Sequence, residues 1–311
     1  MAAQRLHGVI AAVPTPVTAA GEPDLERFLR HASWALENGC HGLNVLGTTG
    51  EANSFSSDQR KAVMKAAAGT LDTSRLMVGT GTPDLATTIA LTRLAQECGF
   101  AGALVLPPYY YKGVSDDGLF AWFERLLTAT AATPIPIYLY NFPQMTGIRF
   151  SPELARRLKH AAPDRIAGAK DSSGDLAYAA ELARIDGFDA FPSSETAIGR
   201  AEADGYAGCI SATVSVIAPL ARRYWDDPAN SALASNVAGA RAGISAQPLI
   251  PAVKHLVSVL HGDPEFARVL PPHMPLTGAQ KAALAGVERA AQTRLRPGPR
   301  VHGEAAGGTS T

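Results

Sequence analysis

The chain is poor in cysteine, carries no net charge and contains no long apolar run, and each shortage removes a class of protein. Cys40, Cys98 and Cys209 stand far apart with no CxxC pair, which leaves neither a disulfide framework nor a zinc ligand set. Twenty-eight basic side chains balance twenty-eight acidic ones without a block of one sign, so nucleic acid is not an expected partner. No apolar stretch approaches the roughly 20 residues of a membrane-spanning helix, and no membrane is expected either. The opening MAAQRLHGVIAAVPTP has one arginine and a short apolar run broken by prolines, unlike a signal or transit peptide, so the expected location is the cytoplasm. Histidines are scattered without metal-ligand spacing, and no Walker sequence or HExxH occurs. Gly79-Thr80-Gly81 has Asp84 where a dinucleotide fingerprint needs its third glycine. Neither metal nor cofactor is expected.

What is present is 311 residues with 46% apolar and only 18% charged side chains, enough for a sizeable core. Strand-length apolar runs recur at 8–13, 43–48, 76–81, 103–107, 135–141, 166–170, 188–193 and 208–213. Most are continuously apolar, the pattern of parallel strands covered on both faces. Helical periodicity fills the gaps. Leu25, Phe28, Leu29, Ala32 and Leu36 form one apolar stripe, with Asp24 placed to cap its start and Gly39 to end it. Ser151-Pro152-Glu153 opens another helix. Eight strand–helix units suit an α/β fold of the (β/α)8 TIM barrel kind. An open doubly wound sheet competes, since periodicity carries no strand order. The expected division is a catalytic barrel over 1–228, a C-terminal helical segment over 229–296 with a cap at Thr277, and a disordered tail over 297–311.

In such a barrel the chemistry gathers where strands run into the βα loops. Lysine is scarce, at seven residues against twenty-one arginines. Lys61, Lys65, Lys112, Lys159, Lys254 and Lys281 lie in stretches that read as polar helix faces or loops. Lys170 instead closes the run Ile166-Ala167-Gly168-Ala169, where small neighbours leave room and partial desolvation favours the neutral, nucleophilic amine. Schiff-base chemistry follows. The competing reading is an ion pair with Asp171 or with a glutamate at the barrel rim. Tyr140 closes its own strand and is a proton relay or an aromatic filling the barrel mouth. Thr48 and Thr49, between glycines, offer hydroxyls and backbone N–H groups in a nest suited to a carboxylate, or else a plain turn.

Together, GTTGE at 47–51, PPYY at 107–110, YNFP at 140–143 followed by Thr146-Gly147, and GAKD at 168–171 resemble the dihydrodipicolinate synthase / N-acetylneuraminate lyase family, over residues 5–295. The resemblance implies a barrel with a C-terminal helical segment, commonly a homotetramer, and metal-free chemistry through a lysine Schiff base with pyruvate or another 2-oxo acid. By it, Lys170 is the Schiff-base lysine and Tyr140 the relay, while Thr48 and Thr49 hold the 2-oxo acid carboxylate, a threonine hydroxyl also serving the relay. Tyr110 matches a tyrosine that reaches in from a neighbouring subunit, and Ile210 a position whose backbone carbonyl faces pyruvate.

One departure bears on the substrate. Where the synthases carry an arginine that grips the aldehyde's carboxylate, this chain has Met145, and a thioether makes no bidentate pair. Ser193, Ser194 and Glu195 at the end of strand seven also differ and could meet hydroxyls. The expected reaction is therefore reversible cleavage of a 2-keto-3-deoxy sugar acid to pyruvate and a neutral, hydroxyl-bearing aldehyde. The alternatives are a synthase condensing pyruvate with aspartate semialdehyde, a Schiff-base dehydratase, and a non-enzymatic regulator that binds a 2-oxo acid.

Overall fold

The computed structural model describes residues 5–291. The expected tail at 297–311, and 292–296 of the helical segment, lie outside the described residues. Eight parallel strands form one sheet: β1 (Gly8–Ala12), β2 (Gly42–Val45), β3 (Leu76–Gly79), β4 (Gly102–Val105), β5 (Ile137–Asn141), β6 (Ile166–Asp171), β7 (Asp189–Pro192) and β8 (Gly208–Ser211). Their order is β7-β6-β5-β4-β3-β2-β1-β8. The Ala207 amide donates to the Ala190 carbonyl at 3.0 Å, bridging the two outermost strands and bringing the sheet almost to closure. Sequential neighbours curling round to meet are a barrel, and the doubly wound alternative is excluded.

The helices form where the capping chemistry places them. Asp24 accepts from the Arg27 amide at 3.1 Å to start Leu25–Glu37, and Ser151 accepts from the Leu154 amide at 2.9 Å to start Pro152–Ala161. Thr277 and Gln280 make a reciprocal capping box ahead of Gly278–Ala291. Among the described residues no helix is long and apolar enough to cross a membrane.

Alternation along the strands builds two apolar layers. Ile137 and Leu139 pack outward against helices, whereas Tyr138 and Tyr140 point into the barrel with Ile10, Met77, Leu104, Phe191 and Ile210. On β6 this parity is broken. Ile137 pairs with Ile166, yet Tyr138 pairs with Gly168, so Ala167 is an extra residue, a β-bulge. Without it, Lys170, four residues after outward-facing Ile166, would also face outward. The bulge flips the parity and puts Lys170 opposite Tyr140, inside the barrel. Gly168 permits the close approach, since a Cβ there would lie 2.0 Å from the Asp189 carbonyl oxygen.

Candidate active site

The strand ends of β2, β5, β6 and β8 open into a cavity of about 390 Å³. Thr48, Thr49, Tyr140, Lys170, Ile210 and Met145 all line it. Thr48 Oγ1 and the Tyr140 hydroxyl are hydrogen-bonded at 3.0 Å, and Lys170 Nζ sits 4.6 Å from the centre of the Tyr140 ring. Tyr140 is held from behind by stacking on Phe142, with ring centroids 5.9 Å apart. Nucleophile and relay candidate therefore share one wall.

The ion pair that competed for Lys170 does not form. Asp171 accepts from Asn141 Nδ2 at 2.6 Å and from the amide and hydroxyl of Ser173 at 3.1 and 2.8 Å. Burial holds the Asp171 carboxyl above its ordinary pKa, against the lowering effect of those bonds. Among the described residues Lys170 makes no ion pair, so its amine faces the cavity free of a carboxylate.

The threonine turn is built under constraint. Leu46 and Glu51 both take left-handed backbone conformations, at φ 53° and 52°, which a non-glycine residue holds only when its surroundings impose it. They do so here. Glu51 is fully buried in an ion pair with Lys254, and its carboxylate also accepts from the Leu270 amide at 3.2 Å. Lys254 thus departs from the expectation of a polar helix face or loop: it is 1% exposed, and burial lowers its pKa while Glu51 opposes that shift. It is the one Lys, Arg, Asp or Glu in helix Leu249–His261, a signal the sequence did carry.

Three other candidates stand elsewhere. Tyr110 is 74% exposed, edge-to-face with Tyr111, and does not line the cavity of its own chain. Ser194 caps the turn that follows β7 and bonds Thr196 at 2.6 Å, away from the cavity, whose wall takes Ser193 instead. Glu195 is not a rim residue open to hydroxyls. It is completely buried and accepts from Ser211, Thr213 and Arg241, because its strand end turns inward beneath the helical segment. Arg149, eight residues after β5, pairs with Asp175 at 2.9 Å on the surface.

The strand ends do not account for the whole cavity, because one wall comes from beyond residue 228. Arg241, Pro248, Leu249, Ile250, Pro251 and His273 close the cavity, so the site is not confined to 1–228. Arg241 is the only charged residue in the Ala-, Gly- and Ser-rich helix Ser231–Ser245, and that isolation was its signal. Among the described residues no three His, Cys, Asp or Glu side chains are grouped to hold a metal ion.

A model of the dihydrodipicolinate synthetase family matches residues 5–284. The chain belongs to this family. Membership makes it an enzyme, a lyase of the class I aldolase type. An uncharacterized DapA-like lyase of Chloroflexus aurantiacus is 34% identical over 94% of this chain and 98% of its own length. The crystal structure of dihydrodipicolinate synthase from Agrobacterium tumefaciens superposes with a TM-score of 0.84 at 29% identity, covering 92% of this chain and all of that one. Proteus mirabilis N-acetylneuraminate lyase superposes at 0.79 and 26% identity, over 93% and 99% of the two chains.

Proposed function

We propose that this family member cleaves a 2-keto-3-deoxy sugar acid reversibly to pyruvate and an aldehyde through an imine on Lys170. The observation that carries the reading is the meeting of the Lys170 amine with the Thr48–Tyr140 hydroxyl pair in one cavity. The amine adds to the C2 carbonyl, the Tyr140 hydroxyl gives its proton to the carbinolamine hydroxyl and water leaves, giving an iminium whose positive nitrogen is an electron sink. The C4 hydroxyl then gives its proton to the Tyr140 phenolate beside Thr48, the C3–C4 bonding electrons pass to the iminium, and the aldehyde departs. Protonation of the enamine at C3 and hydrolysis return pyruvate and free lysine. This scheme asks for no metal or cofactor. Thr48 and Thr49 at their constrained turn would hold the 2-oxo acid carboxylate.

Condensation with aspartate semialdehyde is disfavoured by Met145, which stands 67% exposed at the rim and offers that substrate's carboxylate no cation. Pyruvate release across a panel of 2-keto-3-deoxy acids, with semialdehyde condensation measured alongside, tests the assignment. Cleavage is expected to have the higher kcat/KM. Met145→Arg is expected to move the ratio toward condensation by about 10- to 100-fold, the equivalent of one charge-assisted hydrogen bond of about 1.5–3 kcal/mol. A wild type that condenses the semialdehyde efficiently and leaves every sugar acid intact would replace the lyase reading with a synthase.

A homotetramer is proposed with it, in which the exposed Tyr110 approaches a neighbouring subunit's site. Light scattering should give four times the chain mass, and a fully active monomer would refute the assembly. The three cysteines, none in a disulfide, suit a reducing cytoplasm, and cell fractionation checks that placement.

A further inference from the structure

A second cavity, of about 590 Å³, opens at the opposite mouth of the barrel. Its lining precedes the strands where that of the active site follows them: His7 leads into β1, His41 into β2 and Arg75 into β3, and Arg222 comes over from helix Val214–Asp226. This face of a barrel ordinarily serves stability. Arg75 does so in part, since its Nε donates to the His41 carbonyl at 3.0 Å and its Nη2 to the carbonyls of Leu36 and Cys40 at 3.3 and 2.5 Å. Its Nη1 has no bonding partner among the described residues, and its bonds are to carbonyls, with no carboxylate among them. Arg222 spends only Nε, on both oxygens of Asp226, which leaves its two terminal nitrogens unbonded among the described residues. The stem of that arginine lies where only glycine leaves room: a Cβ at Gly39, whose φ is 120°, would stand 2.7 Å from Arg222 Cβ. His41 Nδ1 accepts from the Val9 amide at 3.0 Å, so its N–H is on Nε2. Burial pushes this imidazole down to about 4, and the charges of Arg222, His7 and Arg75 push the same way against Asp226. The carboxylates lie further out. Glu37, Asp72 and Asp226 are exposed, whereas Arg75, Arg222 and His41 are half-buried, and Asp72 is already held by the amide and hydroxyl of Ser74.

We propose that this cavity is a second binding site, which takes the phosphate group of a small phosphorylated metabolite at the barrel face opposite the active site. The free donors of Arg75, Arg222 and His41 stand on three separate segments of the chain. A phosphate group, with three strong acceptor oxygens, can be met from several walls at once, whereas a planar carboxylate is matched by a single guanidinium fork. The cavity is larger than that of the active site, about 590 against 390 Å³, so it has room for the body of an ester beside Leu6 and Leu36. None of these residues lines the active-site cavity, and the proposal stands independently of the chemistry at Lys170.

Phenylglyoxal, which modifies accessible guanidinium groups, provides the test when the full wild-type chain is treated with it and each arginine is followed by peptide mass spectrometry. Three probes are compared at millimolar concentration: glycerol phosphate, inorganic phosphate and glycerol. Glycerol phosphate is expected to slow modification of Arg75 and Arg222 by about 10-fold or more, the equivalent of one charge-assisted hydrogen bond, and glycerol is expected to have no effect. Equal protection by inorganic phosphate would assign the site to the free anion, and protection by the ester alone to a phosphorylated metabolite. Arg149, on the surface, should react at its original rate. In calorimetry, Arg222→Gln should weaken the protecting anion by about 10- to 100-fold and leave turnover unchanged. If that variant does not fold, the wild-type footprint still decides. Three results would each overturn the proposal: no protection by either phosphate, protection of Arg149 to the same extent, which is ionic screening only, and protection confined to Arg241, which places the anion in the active site.

Discussion

Sodium borohydride added together with pyruvate is expected to abolish turnover and to leave one reduced pyruvyl group on the peptide that contains Lys170. Lys170→Ala should lower kcat by at least about 10⁴-fold, a modest share of the acceleration of 10⁶-fold or more that enzymes typically provide. The surroundings of the other lysines say why the label should be confined. Lys61 is paired with Asp58, Lys112 donates to the carbonyls of Tyr109 and Thr146, and Lys159 donates to those of Pro163 and Ile166. Lys254 is enclosed with Glu51. Among the described residues Lys170 is the only lysine on the cavity wall. Label at Lys112 or Lys254, or an alanine variant that retains appreciable turnover, would remove Lys170 from the mechanism.

Tyr140→Phe is the second large effect. Phenylalanine keeps the ring that stacks on Phe142 and lies under the lysine amine, and it deletes only the hydroxyl bonded to Thr48. Loss of a general acid–base group typically costs about 10²- to 10⁴-fold. The loss should fall on kcat, with borohydride labelling by saturating pyruvate slowed but retained, because water can protonate the carbinolamine in place of the phenol whereas the C4 proton loses its positioned acceptor. A near-normal kcat would reduce Tyr140 to a packing residue. Thr48→Val is a milder companion, expected to raise the KM for the 2-oxo acid and lower kcat together if one hydroxyl serves carboxylate and relay alike.

The strands were legible because a strand covered on both faces has to be apolar throughout, and runs such as Leu76–Gly79 and Gly102–Val105 show this without ambiguity. The ends of those runs delivered Thr48, Thr49, Tyr140, Lys170 and Ile210 to one cavity. What the sequence hid is parity and distance. Nothing in Ile166-Ala167-Gly168 marks Ala167 as the extra residue, although the facing of Lys170 depends on it. Glu195 reads as a polar loop residue because the pattern of one strand end cannot reveal a helix laid over it from 46 residues downstream. Arg241 and Lys254 lie in helices whose other residues give no reason to look for a site, and only their solitude as charges set them apart.

The buried pair of Glu51 and Lys254 changes what counts as the minimal enzyme. Its carboxylate belongs to the threonine turn and its ammonium to helix Leu249–His261, so the turn borrows its counter-charge from a segment that follows the eighth strand. Cutting the chain near 228 would strand an acid in an apolar interior, and a buried charge without its partner is destabilising by about 3–5 kcal/mol. The same cut would take away the Leu270 amide and the Arg241 wall. For anyone grafting loops, permuting termini or shortening this scaffold, the last helices are therefore inside the catalytic design, and a library that treats them as dispensable packaging discards half of the pocket's electrostatics.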